Sequence, residues 1–448
     1  MSSDFRSGGP KSAQSADPSS RLSDLPRSPP LHAERRSTMR PVPILYRGQT
    51  LARATRALAT PSIPFEIARR CNFCTSALAR SSDAAANATS DQWNVAKVPH
   101  RGVVQVSGRD TVKLLQGLVS NDVRALESKS APTESQSPAM VYAGCMNPQG
   151  RMLADVFIHR QPSLADGSPS WLLDIDSRTL PSLLSFIKKF KLRSKVKLTD
   201  VSAEYHVVQA WSPSSVQVPS TIAEQLSLDP RCPTIGYRGV LPSSSSLDFG
   251  VTVPGDEYTR HRIINGVGEG ALDFPEGSSL PLENNLDYMN GVDFRKGCYV
   301  GQELTARTHH TGVVRKRLVP LSFYLPGSPA PSAPTDIDRT STLQLPEHLA
   351  EVRSKPVSTA AAEGAAKPAR GKAAGKFTSG IRNVGLGCLR LEQVQRWADA
   401  SNTAEQRADG LEMSVLSADG QSTLFVRPWI PSWWPKEPEP EPAAGEEE

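Results

Sequence analysis

The chain has 448 residues with 51 basic and 46 acidic side chains, which gives a formal net charge of +5 at pH 7. This mild charge makes no general case for nucleic acid as a partner, since proteins that bind it concentrate basic residues on one face. No apolar run reaches about 18 residues, so no membrane span is expected. Apolar residues make up 38% of the chain and Gly and Pro number 31 and 38, which predicts disordered parts. Six cysteines indicate a reducing compartment rather than a disulfide framework.

Residues 1–92 are predicted to be a mitochondrial presequence and a disordered leader. Residues 39–80 contain seven arginines and one acidic residue, Glu66. Such Arg-rich, acid-poor sequence is typical of mitochondrial presequences, because a basic amphipathic helix is drawn across a negative-inside potential. The sequence leaves open whether the chain starts at Met1 or Met39. A disordered tail without a targeting role is the alternative interpretation.

The next part of the chain, residues 93–318, mixes strand and helix patterns without strict alternation, which predicts an α+β fold. Asn147-Pro148-Gln149-Gly150 lies between two apolar runs, and these residue types favour a hairpin turn. Strands are predicted at 103–106, 171–175 and 205–211, and a helix is predicted from Pro181 onward. Six basic residues follow within and after that helix: Lys188, Lys189, Lys191, Arg193, Lys195 and Lys197. They indicate either an anion-binding site or a solvated helix end, and cations at a helix C-terminus favour the second.

Residues 319–435 are predicted to form a small C-terminal β domain. A stretch rich in Pro, Ala, Ser and Lys at 326–376 reads as a disordered insert within that domain, since it has too little apolar surface to bury. The aromatic stretch 429–435 is interpreted as a plug against the β domain, with a partner-binding patch as the alternative. Residues 436–448 form an acidic tail.

The stretch "KGCYVGQE", residues 296–303, carries the chemistry. Lys296 lies two residues before Cys298, and a helix is predicted to start near Gly301 with Glu303 in its first turn. Both neighbours favour thiolate over thiol, and a thiolate attacks electrophiles or ligates iron. The alternative is a buried structural cysteine, a common fate of free cysteines. Gly297 is expected to permit a backbone turn.

This stretch resembles the motif of the YgfZ-type proteins, which belong to the tetrahydrofolate-binding superfamily of the glycine-cleavage T-protein. A weaker similarity covers about 93–320 and 377–435. The resemblance implies a ring-like aminomethyltransferase (T-protein) folate-binding fold with a small C-terminal β-barrel. With the presequence, the similar branch is that of the mitochondrial iron–sulfur cluster assembly factors. The resemblance also implies that the residues around Cys298 belong to the site: Lys296, Gly297, Tyr299, Gly301, Gln302 and Glu303.

Two acidic residues are implied as ligands of tetrahydrofolate by the same resemblance. Glu283 occupies the place of the glutamate with which T-proteins hold the pteridine, and a carboxylate suits that task because it accepts two hydrogen bonds. Asp155 lies where T-proteins carry an acidic pair. Here Ala154 precedes it, so half of the pair is missing, and this departure argues against aminomethyl transfer.

The function implied is that of an accessory factor in the mitochondrial matrix for maturation of [4Fe–4S] proteins such as aconitase and the lipoate and radical enzymes. Cys298 would be its reactive thiol, tetrahydrofolate its cofactor and the matrix iron–sulfur assembly proteins its partners. A stably bound metal or cluster is not expected, because a cluster needs about four thiolates and only Cys145, Cys232 and Cys388 remain in the core. The alternatives are a folate-dependent aminomethyl or one-carbon transferase and a non-catalytic scaffold.

Overall fold

A computed structural model describes residues 92–127, 140–212, 217–356, 371–400 and 411–436. The predicted presequence, except for its last residue, and the acidic tail beyond residue 436 lie outside the described residues. No helix in the described part of the chain is long and apolar enough to cross a bilayer.

The described residues form sixteen strands, seven α-helices and a short 3-10 helix at Val123–Leu126. The strands are β1 Asn94–Lys97, β2 Arg101–Ser107, β3 Met140–Met146, β4 Met152–Arg160, β5 Ser170–Asp176, β6 Lys197–Asp200, β7 Tyr205–Trp211, β8 Ser227–Leu228, β9 Tyr237–Pro242, β10 Val251–Thr252, β11 Lys316–Tyr324, β12 Glu351–Pro356, β13 Lys372–Ile381, β14 Val384–Arg390, β15 Leu411–Leu416 and β16 Thr423–Pro428. The helices are α1 Thr111–Gln116, α2 Leu180–Lys191, α3 Ser220–Gln225, α4 Gly255–Ile264, α5 Gly270–Asp273, α6 Gln302–Thr311 and α7 Leu391–Ala400.

The first sheet has the order β3-β4-β5-β2-β6, and all its neighbouring strands are antiparallel. Its β3–β4 hairpin turns at Asn147–Gly150 as the sequence predicts, and Gly150 adopts φ +76°, a left-handed conformation that favours glycine. Helices α1 and α2 cover one face and bury Leu115, Leu183 and Ile187 against the strands. These apolar positions explain why α2 forms here, since they recur on one helical face.

The second sheet has the order β10-β1-β7-β9-β8. Strand β7 is the central strand of this sheet and pairs antiparallel with both β1 and β9. Its residues 207–211 are all buried, which agrees with the apolar run that predicts a strand there. Helix α4 packs on the sheet through Tyr258, whose ring lies 6.1 Å from that of Trp211.

The C-terminal part is a closed barrel of six strands in the order β11-β14-β13-β12-β15-β16, with β16 pairing back to β11. Closure removes exposed sheet edges, and the interior is filled by side chains that include Phe323 and Phe377, whose ring centroids are 5.6 Å apart. The α+β class and the barrel are therefore confirmed.

The predicted disordered insert at 326–376 is wrong in part. Strand β12 and the first residues of β13 lie inside it, and Val352 is fully buried in the barrel core. Burial alternates along β12, so that Val352 and Ser354 lie on its buried face, a pattern that the polar composition hides. Only residues 357–370 of the insert lie outside the described residues.

The aromatic stretch at 429–435 does pack on the folded core. Trp434 contacts the barrel cluster, and Trp429 Nε1 donates to Ser322 Oγ at 2.9 Å. Trp433 Nε1 donates to the carbonyl of Asn265 at 2.7 Å, so the stretch also touches the segment after α4. These contacts favour the plug interpretation over the partner-binding alternative.

Candidate functional site

The loop that leads into α6 is held by the side chain of Lys296. Lys296 is buried, and its ammonium donates hydrogen bonds to the carbonyl oxygens of Gln116 at 2.8 Å, Val119 at 2.5 Å and Asn121 at 3.0 Å. One cation thereby pairs with three carbonyl oxygens, one at the last residue of α1 and two in the segment that follows it. Burial lowers the pKa of Lys296 to about 8, with Asp122 and Asp293 acting in the opposite direction.

Tyr299 and Gly301 provide two more attachments for the same loop. Tyr299 is buried, its ring lies 4.8 Å from the Lys296 ammonium, and burial raises its pKa to about 12. Val300 N donates to the carbonyl of Gly117 at 3.0 Å. Gly301 adopts φ +81°, and a Cβ at this position would lie 2.5 Å from the carbonyl oxygen of Asn147. The motif therefore needs glycine at 301 for both conformation and space.

Cys298 is exposed between these buried anchors. Gly297 beside it is also exposed, and a Cβ there would meet nothing within 4 Å. Its φ lies outside the left-handed region, so the backbone at Gly297 does not itself require glycine. Gly297 and Cys298 thus form an exposed part of the loop. Helix α6 begins at Gln302 with Glu303 in its first turn, as predicted.

The other described cysteines differ from Cys298 in exposure. Cys145 and Cys232 are buried and Cys388 is half-buried. Burial raises the pKa of Cys145 and of Cys388 to about 12, so neither ionises near neutral pH. Within the described ranges, no three His, Cys, Asp or Glu side chains are grouped to hold a metal ion. Cys298 is thus the exposed thiol of the described chain.

Glu283 lies in a different place, on the wall of a cavity of about 580 Å3 between the segment 273–284 and the barrel strands β13 and β14. This volume is typical of small-molecule sites, which span roughly 300–1,000 Å3. Its walls carry both signs of charge. The charged and thiol side chains on them are Arg151, Asp273, Glu283, Lys316, Glu351, Lys376, Cys388 and Arg390.

The backbone of Glu283 is held by a hydrogen bond, whereas its carboxylate makes only long contacts. Its carbonyl accepts from Leu318 N at 2.9 Å, which ties it to β11. One carboxylate oxygen lies 3.8 Å from Lys316 Nζ, and the other lies 3.9 Å from Cys388 Sγ. Both contacts are loose, and 26% of the side chain is exposed. The carboxylate can therefore accept hydrogen bonds from a bound ligand.

The structure does not bring Asp155 to this cavity. Asp155 is fully buried, accepts from Gly270 N at 3.0 Å and pairs with Arg101 at 3.1 Å. Burial raises the pKa of Asp155, and the Arg101 cation partly offsets this. The pair belongs to an ionic network that extends through Asp174 and Arg238. Asp155 therefore makes structural contacts in this conformation, away from the cavity that Glu283 lines.

The Cys298 loop and the Glu283 cavity are separate but share one neighbour, the turn between β3 and β4. On one side, a Cβ at Gly150 would lie 3.0 Å from the carbonyl oxygen of Gly301. On the other side, Arg151 lines the cavity and donates to the carbonyl of Ser278 at 2.7 Å. The turn therefore contacts both places.

Several of these residues escape sequence reasoning. Cys388 and Lys376 reach the cavity because β13 and β14 pair across the barrel, and nothing in their local sequence marks them. Arg101 and Arg238 are paired with carboxylates far along the chain. Arginine inside otherwise apolar strand patterns is a usable signal, because a buried cation requires a partner.

Comparison with known proteins identifies the class of protein to which this chain is similar. Residues 315–436 match the family model described as "CAF17, C-terminal beta-barrel domain". The mitochondrial iron–sulfur cluster assembly factor IBA57 homologue of Mycosarcoma maydis is 69% identical over 86% of this chain and 94% of that protein. The IBA57 factor of Mus musculus is 33% identical over 77% of this chain and 86% of that protein. The aminomethyltransferase T of Bartonella henselae aligns with a TM-score of 0.48 at 10% identity, over 76% of this chain and 86% of that one.

The chain belongs to the IBA57 family of mitochondrial iron–sulfur cluster assembly factors. The family membership confirms the branch that the "KGCYVGQE" stretch indicates, and it confirms the mitochondrial localisation predicted from the N-terminal composition.

Proposed function

We propose that this chain acts in the mitochondrial matrix as an accessory factor for the maturation of [4Fe–4S] proteins, with Cys298 as its reacting group. The observation that carries the proposal is the construction of the loop. Lys296, Tyr299 and Gly301 are fixed to the core, and Gly297 and Cys298 stand exposed between them. A buried structural cysteine needs no such support.

The geometry suits transient ligation of iron or a cluster handed over by a partner. Soft thiolate sulfur is a preferred ligand of iron–sulfur clusters, and one exposed thiolate leaves the remaining ligand positions to another protein. The thiol proton leaves as the sulfur–iron bond forms. A single accessible thiol makes the cluster a passing substrate, held jointly with iron–sulfur assembly proteins of the matrix.

The test is rescue of aconitase activity in mitochondria that lack the native factor. We expect the wild-type chain to restore activity and Cys298→Ser to fail at equal protein level. Cys232→Ala is the matched control, since that thiol is buried. Equal rescue by Cys298→Ser would overturn the role of the thiol.

We further propose that the cavity beside Glu283 binds tetrahydrofolate. The residues fit this ligand in two ways: a partly exposed carboxylate faces the cavity, and Arg151, Lys316, Lys376 and Arg390 supply cations for the carboxylates of the glutamate moiety. When bound, the ligand supplies a one-carbon carrier. The chain itself supplies Glu283 to accept hydrogen bonds from the pteridine and the cations to orient the other end.

Calorimetric titration with tetrahydrofolate tests this second proposal. A charged hydrogen bond is worth roughly 1.5–3 kcal/mol, so we expect Glu283→Gln to weaken binding roughly ten- to a hundredfold. Glu347→Gln, an exposed site outside the cavity lining, is the control and should bind as wild type does. Binding unchanged by Glu283→Gln would remove Glu283 from the site.

The transferase alternative gains no support from the position of Asp155. An aspartate that serves as acid, base or folate ligand must reach the reacting atoms, and Asp155 is buried in an ion pair with Arg101.

A further inference from the structure

Helix α2 ends in an exposed apolar tip. The helix buries Leu180, Leu183 and Ile187 and leaves its other face to solvent. Phe190 packs against Phe186 with tilted rings whose centroids are 4.8 Å apart, and it is 38% exposed. The next apolar residue, Leu192, is 85% exposed. Such exposure of an aliphatic side chain means that it protrudes from its surroundings.

The backbone at this tip is also unusual. Leu192 adopts φ +35°, a region that residues with a Cβ rarely occupy. The strained conformation directs a large apolar side chain into solvent, where it gains nothing from folding. Local strain of this kind persists where function needs it. The strained and exposed conformation of Leu192 therefore indicates a partner that buries its side chain.

Basic residues surround the apolar tip. Six of them are Lys188, Lys189, Lys191, Arg193, Lys195 and Lys197, of which all but Lys191 are exposed. Two more, Arg109 and Lys113, lie close by, because Lys195 N donates to the carboxylate of Asp110 at 2.6 Å. Within the described part of the chain, none of these eight cations forms an ion pair with a carboxylate. Their charge is thus free for an external anion.

We propose that this basic tip, residues 186–197 with Arg109 and Lys113, docks on an anionic phospholipid surface. Lysines and arginines gather the acidic headgroups, and Phe190 and Leu192 enter the boundary between headgroups and acyl chains. The whole protein remains peripheral, since the attachment is one helix end and its following loop.

The combination of features selects a membrane over other anionic partners. A protruding side chain fits a lipid interface, which needs no complementary cavity, whereas an acidic protein would have to offer a pocket for Leu192. Single-stranded nucleic acid requires a groove with aromatic faces open for bases, and the Phe190 ring already packs at a tilt against Phe186. Charge combined with an apolar tip is the pattern of interfacial attachment.

The test uses the full chain with vesicles of phosphatidylcholine alone or with about 30% phosphatidylserine or cardiolipin, a fraction chosen to give a surface potential in the usual range. Co-sedimentation should occur only with the anionic vesicles and should weaken as salt rises. Hydrogen exchange measured by mass spectrometry locates the contact. We expect the amides of residues 186–197 to become protected when vesicles are present.

Two variants separate the roles of charge and apolar tip. Lys188→Glu/Lys189→Glu reverses two exposed charges, and Leu192→Asn replaces the apolar side chain, which is 85% exposed, by a polar one. Each should bind anionic vesicles at least tenfold more weakly. Because the Leu192 side chain is 85% exposed, the second should keep a melting temperature close to that of wild type, so loss of binding there is not a folding defect. Lys355→Glu/Lys372→Glu on the barrel makes the same change in net charge and should bind as wild type does.

Several results would overturn the proposal. Vesicle binding without protection of residues 186–197 would place the contact elsewhere, for instance in the basic residues 39–80. Equal binding by wild type and both variants, or equal binding to neutral vesicles, would contradict the charge and apolar contributions. No vesicle binding at all, or binding of a poly(U) RNA in its place, would assign the basic tip to another class of partner.

Discussion

At the scale of single residues, the motif contains one glycine that cannot be replaced without strain and one that has room for a side chain. Gly301 combines φ +81° with a space too small for a Cβ, whereas Gly297 has an ordinary φ and open space around it. We expect Gly301→Ala to lower the free energy of unfolding by about 2 kcal/mol or more, because it adds left-handed strain and a clash with the carbonyl of Asn147. Urea unfolding followed by circular dichroism measures this.

Gly297→Ala is the matched control for that experiment, since it adds the same methyl group two residues from Tyr299. Its stability should stay within about 0.5 kcal/mol of wild type. If both glycines tolerate alanine equally, the loop does not hold the conformation described here.

The buried side chain of His261 makes the stability of the protein depend on pH. It stacks on Trp211 with ring centroids 5.0 Å apart, and burial lowers its pKa from 6.5 to about 4. In the unfolded chain it takes up a proton near pH 6.5, so the unfolded state binds more protons between pH 6.5 and 4. The contribution of neutral His261 to the free energy of unfolding is therefore fully present above about pH 6.5. It is lost as the pH falls towards 4, by up to about 3 kcal/mol.

Urea unfolding of wild type and His261→Phe at pH 7, 6 and 5 tests this dependence. Phenylalanine keeps a ring against Trp211 and cannot titrate, so the variant should lose less stability between pH 7 and 5. His310→Phe changes an exposed histidine and should follow wild type. Parallel curves for all three proteins would show that His261 does not carry the pH dependence.

Lys296 shows how far sequence reasoning reaches at this scale. The sequence places a cation two residues from Cys298 and so predicts an electrostatic partner for the thiol. The structure directs that cation to carbonyl oxygens that lie as many as 180 residues earlier in the chain. The motif is visible in sequence, but the identity of the atoms that it anchors depends on tertiary packing.

At the scale of elements, local chemistry predicts the β3–β4 hairpin and misses β12. Proline and glycine set the dihedral angles of the hairpin turn by themselves, so this element needs no distant information. Strand β12 reads "EVRSKP", which is polar in composition. Its strand conformation comes from pairing with β13 and β15 in the closed barrel, and such pairing is not encoded in a six-residue window.

The contribution of β12 to the barrel rests on Val352, which is fully buried in the barrel core. We expect Val352→Ala to lower the free energy of unfolding by about 2 kcal/mol, because it leaves a cavity in a closed core. The neighbouring Arg353→Ala removes an exposed pair with Glu351 and should cost less than about 1 kcal/mol. Equal effects at the two positions would mean that β12 does not close the barrel.

At the scale of the whole molecule, a buried ionic network joins the parts of the fold. Arg101 on β2 and Arg238 on β9 share Asp174 on β5, so the network crosses from the first sheet to the second. Arg238 lies 64 residues from Asp174, and the pairing cannot be deduced from either segment alone. Sequence reasoning therefore recovers the elements and the motif, while the contacts that assemble the sheets depend on long-range geometry.

Arg238 provides the test of this assembly. Its guanidinium is fully buried and contacts Asp174 at 2.7 Å and Glu269 at 3.2 Å, above the ring of Phe157. Replacing Arg238 takes one cation from each carboxylate, while Asp174 keeps Arg101 and Glu269 keeps Arg231. Removing one partner from a buried ionic network costs up to about 3–5 kcal/mol. We expect Arg238→Met to lower the free energy of unfolding by this amount. Arg178→Met removes a half-exposed pair with Asp176 and should cost about 1 kcal/mol or less.

A double variant shows whether the loss arises from orphaned charge or from lost packing. Glu269→Gln removes one of the two carboxylates that Arg238→Met leaves short of a partner. Because an excess of buried negative charge is the expected cause, Arg238→Met/Glu269→Gln should be more stable than the sum of the two single effects predicts. Strict additivity, or a loss for Arg238→Met no larger than for Arg178→Met, would show that the network does not hold the two sheets together.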